Sequence, residues 1–142
     1  MVSGTPMEWS LHPKLSELTI PVGDLPLSRV LLENDSNYPW LILVPRKAGV
    51  SEIIDLGPDD QAQLLAEINA ASHALRAVAT FDKLNIGALG NMVAQLHVHV
   101  LGRSKTDPAW PKPVWGAGPQ RHYEPAARAA LVEALQRALA IK

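Results

Sequence analysis

The sequence predicts an α+β fold, and three observations carry that reading. Two apolar runs, Ser28–Glu33 and Trp40–Val44, are joined by the turn-forming cluster Asn34-Asp35-Ser36-Asn37, the pattern of a β-hairpin. After Pro58, apolar residues recur at three- and four-residue spacing over about 20 residues, the period of an amphipathic helix. Two further strand-like segments and a second helical pattern follow that helix.

Composition bounds the rest. The 142 residues suit one domain, because two independent cores would hold only about 70 residues each. With 47% hydrophobic and 19% charged residues, the chain can build a packed core. Thirteen Lys and Arg against 14 Asp and Glu leave a net charge of -1, which excludes a global pull towards nucleic acid polymers or anionic membranes. A local basic pocket stays compatible with that balance. The absence of cysteine excludes disulfides, thiolate zinc sites and cysteine nucleophiles together. No apolar stretch approaches the ~18 residues a bilayer span requires. The segment Met1–Trp9 lacks the basic and apolar regions of a signal peptide, so a cytoplasmic location is expected.

In chain order, residues 1–26 alternate short apolar patches with prolines and read as an irregular arm with one helical turn over Pro13–Leu18. The hairpin comes next. Its second run is almost continuously apolar, as expected of a strand buried on both faces, and Pro45 stops it. Gly57-Pro58-Asp59-Asp60 opens the long helix: proline suits a first turn, and the aspartates face the positive end of the helix dipole. Leu64, Leu65, Ile68, Ala71, Leu75 and Val78 form its expected buried stripe. Leu84–Ala88 reads as a short strand, Gly90-Asn91 as a turn and Val93–Leu101 as a longer strand. Ser104–Tyr123 is rich in Pro, Gly and Trp and has no periodicity. A last helix is expected over Pro125–Ala140, with Leu131, Leu135 and Leu139 on one face. The expected organisation is a single domain over residues 1–142, with a core at about 27–103 and the Trp/Pro-rich segment and C-terminal helix over 104–142.

The chemistry concentrates in Asn91-Met92-Val93-Ala94-Gln95-Leu96-His97-Val98-His99-Val100-Leu101-Gly102-Arg103. Side chains alternate along a strand, so Gln95, His97 and His99 project to one side, with Cα atoms about 6.6 Å apart. Leu96, Val98 and Val100 take the other side and can pack on the long helix. Two chemistries could use the polar side. Histidines at i and i+2 can share a metal, but His12, His73 and His122 have no diagnostic spacing for completing the ligand set. Alternatively, a neutral imidazole attacks phosphorus while its other ring nitrogen is tied to an acceptor, and a second imidazole and amide donors stabilise the phosphoryl oxygens.

Gln95-Leu96-His97-Val98-His99-Val100-Leu101 resembles the signature strand of the histidine triad (HIT) family, in which histidines alternate with apolar residues. Leu41-Ile42-Leu43-Val44-Pro45-Arg46 resembles the family's apolar strand ending in Val/Ile-Pro-Lys/Arg, and the helix and the Leu84-Asn85-Ile86 strand follow in the family's order. The resemblance spans roughly Leu27 to Arg103. It implies a HIT-like fold, an antiparallel sheet packed by one long central helix plus a C-terminal helix. It also implies a nucleotide hydrolase or nucleotidyltransferase acting at the α-phosphate of a nucleoside phosphoramidate or dinucleoside polyphosphate, through a nucleotidyl-histidine. The alternatives are a non-catalytic nucleotide-binding module and, further off, a metal-dependent enzyme using the His-x-His pair.

In that resemblance His97 aligns with the nucleophile, and His99 with the histidine that bonds the phosphate or bridging oxygen. Gln95 replaces the first histidine as a catalytic-site amide. Asn91 and Asn85 match polar positions near the phosphate or ribose, their plainer roles being a turn residue and a strand-end hydrogen bond. Asn34 or Asp35 corresponds to an acidic ribose-binding position, with a plain turn as the favoured reading. Met92 stands where one branch has a hydroxyl that assists the leaving group, which methionine cannot do. The expected ligand is a purine nucleotide or derivative, with no protein-bound cofactor or metal, although magnesium could accompany a polyphosphate. Homodimerisation is implied by resemblance alone. Just beyond the histidine strand, Arg103 could approach a phosphate but reads rather as an ordinary surface arginine, and the three isolated histidines read as surface or packing residues. Trp110–Gly116 reads equally as a cover for the pocket or subunit contact and as a proline-stiffened connection.

Overall fold

The computed structural model of the protein describes residues 8–141, so the first seven residues of the arm, Pro6 among them, lie outside it. Five antiparallel strands form one sheet in the order β1-β2-β3-β5-β4: β1 (Thr19–Asp24), β2 (Ser28–Glu33), β3 (Trp40–Pro45), β4 (Lys83–Gly87) and β5 (Val98–Arg103). A short helix α1 (Pro13–Leu18) precedes them, α2 (Pro58–Val78) separates β3 from β4, and α3 (Pro125–Ala138) ends the chain. The hairpin and both long helices stand where the sequence pattern puts them.

Both faces of the sheet are covered. On one face Val30, Leu32, Leu41, Leu43, Val98 and Val100 pack against Leu64, Ala71, Ala74 and Leu75 of α2 and against Leu135 and Leu139. On the other, Leu31, Trp40, Ile42, Val44 and Leu101 meet Leu15 of α1, Tyr38, Ala109 and Val114. The continuous apolar run of β3 thus serves two cores at once, every residue of it being buried.

Four expectations are corrected. Thr19–Asp24 is an edge strand and not part of an irregular arm. Pro21 disguises it in the sequence, but an edge strand tolerates a missing N–H, and the register shifts between Pro21 and Gly23. The histidine strand starts at Val98, five residues later than expected. β3 ends at Pro45, and the Leu96 N–H turns away to the Val50 carbonyl at 3.0 Å, so Val93–His97 has no ladder to join. On α2, Leu65 is exposed and Glu67 takes the buried position. Finally, Arg103 is only 1% exposed. Its guanidinium pairs in a fork with Asp107 at 2.8 and 3.0 Å and donates to Asn85 Oδ1 at 3.0 Å, while Tyr38 and Trp110 flank it. Asp107 also accepts the N–H groups of Ser104, Ala109 and Trp110, so this pair pins the irregular segment to the end of β5.

Glu67 performs a similar task on the helix face. Its carboxylate accepts the N–H groups of Leu27 and Ser28 at 2.7 and 2.8 Å and an amide N–H of Gln63 at 3.0 Å, fixing the entry into β2. Glu67→Ala leaves two buried backbone donors unpaired and is expected to cost about 3 kcal/mol in urea unfolding. Glu67→Gln should fall between it and wild type.

Candidate functional site

β5 is an inner strand of the sheet, paired with β3 on one side and with the edge strand β4 on the other. His99 lies opposite Ile42 of β3 on one side and Gly87 of β4 on the other. His97 sits one step before the strand begins. The two rings meet edge to face with centroids 5.1 Å apart, and each residue is 8% exposed. The structure therefore brings His97 and His99 together, in a largely dry environment.

Their hydrogen bonds set opposite tautomers. His97 Nδ1 lies 2.7 Å from the backbone carbonyl of Gln95. A carbonyl only accepts, so Nδ1 carries the proton and the Nε2 lone pair is free. His99 Nδ1 lies 3.0 Å from the Trp40 indole Nε1. An indole N–H only donates, so here Nδ1 accepts and the proton sits on Nε2. Burial, helped by the nearby His97, pushes the His99 pKa down to about 4. One imidazole thus presents a lone pair and its neighbour an N–H.

The remaining candidates separate from this pair. The Gln95 side chain is engaged by the arm: Oε1 accepts the His12 N–H at 2.9 Å and Nε2 donates to the Ser10 carbonyl at 2.8 Å. Asn85 is committed at both ends, accepting from Arg103 and donating to the Leu84 carbonyl. Asn34 and Asp35 form the expected turn and hold the chain that returns past them, through the N–H groups of Tyr123 and Arg121. Neither lines the histidine cleft. Beside them Glu33 is buried, and desolvation pushes its carboxyl up to about 7 against the opposing hydrogen bond from Gln120. Asn91 is exposed in the turn next to Gly90 and has no hydrogen-bond partner among the described residues. His12 caps α1 through Nδ1, accepting from the Lys14 N–H, while His73 and His122 are exposed.

Trp40 and the cleft that reaches His97 were not singled out by sequence reading, and Trp115 was read only within the Trp110–Gly116 segment. Trp40 looked like one more apolar strand residue, and only its polar tip distinguishes it from its aliphatic neighbours. Trp115 sits edge-on to His99 at 5.4 Å between centroids, and a Cβ on Gly87 would stand 3.1 Å from its ring. Its indole N–H is buried without a partner among the described residues. An open cleft of about 260 Å³ reaches His97 between Ser51-Glu52-Ile53-Ile54 and Ala88-Leu89-Gly90, floored by Leu96. Asp55 shapes its first wall by accepting the Ser51 and Glu52 N–H groups. No Lys or Arg among the described residues lines this cleft. Among the described residues no three His, Cys, Asp or Glu side chains gather as a metal site. None of the described helices is long and apolar enough to cross a membrane.

Trp40→Phe removes the donor that fixes the His99 tautomer. The neutral form loses its hydrogen bond, so the His99 pKa is expected to rise from about 4, with both tautomers populated. Nitrogen-15 shifts of the imidazole followed against pH read both effects.

The HIT domain family matches residues 18–106 of the chain. Among solved structures, a histidine triad protein from Bradyrhizobium japonicum is 50% identical, with 94% of this chain and 99% of that chain aligned at a TM-score of 0.91. One from Marinobacter aquaeolei is 42% identical over 94% of this chain and 98% of its own, also at 0.91. A hypothetical histidine triad nucleotide-binding protein from Sulfolobus tokodaii shares the fold at 16% identity, covering 86% of this chain and 84% of its own, with a TM-score of 0.64. No curated protein matches the chain.

Proposed function

The chain belongs to the histidine triad (HIT) family, and on that premise we propose that it is a nucleotide hydrolase or nucleotidyltransferase that works through a nucleotidyl-His97 intermediate. The observation that carries the reading is the pair of opposite tautomers. A lone pair on His97 Nε2 and an N–H on His99 Nε2 are what an attacking nitrogen and an oxygen-binding donor require. The nucleotide-binding description of the Sulfolobus tokodaii protein agrees with a nucleotide as ligand.

In the first step His97 Nε2 forms a bond to the α-phosphorus and the bond to the leaving group breaks. The His99 Nε2–H donates to a phosphoryl or bridging oxygen. It holds that oxygen without giving up its proton, because a neutral imidazole is a very weak acid, so the leaving group takes its proton from substrate or solvent. The unpartnered indole N–H of Trp115 is a further donor beside His99. In the second step water attacks phosphorus, the P–N bond to His97 breaks and the nucleoside monophosphate leaves.

The cleft favours one substrate class. Ile53, Ile54, Leu89 and Leu96 make it apolar, and among the described residues that line it Glu52 is the one acidic side chain and none is Lys or Arg. A polyphosphate leaving group would enter with several uncompensated negative charges, whereas the amine of a phosphoramidate leaves uncharged or cationic. A screen of adenosine and guanosine phosphoramidates against dinucleoside polyphosphates is expected to show at least about tenfold higher kcat/KM for the phosphoramidates. Equal or faster polyphosphate turnover without magnesium would overturn the charge argument. A slow-leaving adenylyl substrate should trap AMP on wild type and leave His97→Ala unlabelled. Equal labelling of both removes His97 as nucleophile, and tight nucleotide binding with neither labelling nor turnover identifies a binding module.

A further inference from the structure

One carboxamide fastens two separate parts of this molecule. The side chain of Gln95 spans 85 residues of sequence to reach the arm, where its oxygen takes the His12 N–H and its nitrogen gives a hydrogen bond to the Ser10 carbonyl. It brackets Leu11 as a neighbouring strand would. An amide offers an acceptor and a donor side by side without charge, which neither a carboxylate nor an aliphatic side chain can do. The backbone carbonyl of the same residue receives the His97 Nδ1–H.

Gln95 needs such an anchor. It lies in the stretch between Val93 and His97 that belongs to no strand, so no ladder fixes the plane of its carbonyl. The arm it grips is well held. Leu15 of α1 is buried in the core of the histidine face, the His12 side chain caps that helix, and the chain runs on directly into β1.

We propose that Gln95 is a positioning residue: by docking on the arm it keeps its carbonyl on His97 Nδ1, and so keeps the Nε2 lone pair of His97 directed at substrate. The residue in the first motif position acts through His97 and does not touch the phosphate. The inference rests on His97 being the nucleophile. Loss of the clamp frees the carbonyl to turn, the Nδ1–H loses its acceptor, and the proton redistributes between the two ring nitrogens.

Two substitutions cut the clamp from opposite sides. Gln95→Ala removes the amide. His12→Pro removes the N–H that the amide oxygen accepts, and His12 already has a φ of -57°, which suits proline. His12→Ala loses the same helix cap but keeps the N–H, and so controls for the cap. In nitrogen-15 histidine spectra of the full chain, His97 is expected as the Nδ1–H tautomer in wild type and His12→Ala, and as a mixture in the other two. With an adenylyl phosphoramidate, kcat should fall about tenfold in Gln95→Ala and His12→Pro with KM little changed, and the double variant should be no slower than either. Gln95→Glu keeps the shape and the acceptor, should lie between, and supplies a second variant if alanine impairs folding. The proposal is overturned if the His97 tautomer is unchanged in Gln95→Ala and Gln95→Glu, or if His12→Pro is as fast as His12→Ala while Gln95→Ala is slow. The latter result would put the amide on substrate. If the tautomer shifts but wild type turns over no nucleotide derivative, the proposed function fails, and what stands is that the Gln95 clamp sets the His97 tautomer.

Discussion

Burial of β3 and β5 on both faces is the constraint from which the rest follows. A sheet packed on one side only would leave its histidines in water, where imidazoles exchange protons and tautomers freely. Here α2 and α3 cover one face, while α1, Tyr38 and the segment through Val114 and Trp115 cover the other. Polar groups between these layers must find partners inside the protein, since an unpaired buried donor or acceptor costs about as much as the net stabilisation of one or two hydrogen bonds. The pairing that burial enforces is also what gives the two imidazoles distinct chemistry.

The same constraint is met in four ways. Arg103 is neutralised by Asp107 and sandwiched near two aromatic rings, so that a full charge survives inside the fold. Glu67 is held by three N–H donors at the entry to β2. Glu33 has a hydrogen bond from Gln120 and no cation, and its carboxyl rises to about 7. His99 stays neutral, receiving one N–H and keeping another to offer. Of these four groups, His99 is the one that adjoins the second imidazole.

Much of this was legible in the sequence. The hairpin, α2 and α3 follow from local patterns, because a helix or a strand shows its buried side at a fixed spacing along the chain. His97 and His99 were legible too, since two residues apart on an extended chain already puts them on one side. What local pattern misled about is equally physical. Pro21 made an edge strand look irregular, Pro45 cut the β3 ladder and delayed the histidine strand, and Leu65 resembled the stripe that Glu67 occupies. The hydrogen bonds that Asn85 makes with Arg103, and Asn34 and Asp35 with the chain near Tyr123, cross long stretches of sequence and leave no local pattern.

The sequence by itself determined the hairpin, the two long helices and the pairing of the two histidines, because spacing along the backbone is enough for each, and it carried the family through the resemblance of the histidine strand and its neighbours. Tertiary structure decided which nitrogen of each ring holds its proton, because the deciding partners come from elsewhere: the Trp40 indole lies 59 residues away, and the Gln95 carbonyl is set by an arm more than 80 residues upstream. It also built the cleft that reaches His97, which no Lys or Arg lines among the described residues, since Ser51–Ile54 and Ala88–Gly90 become neighbours only when the chain folds. A side chain's identity lies in the sequence. Its protonation state depends on what the fold places against it.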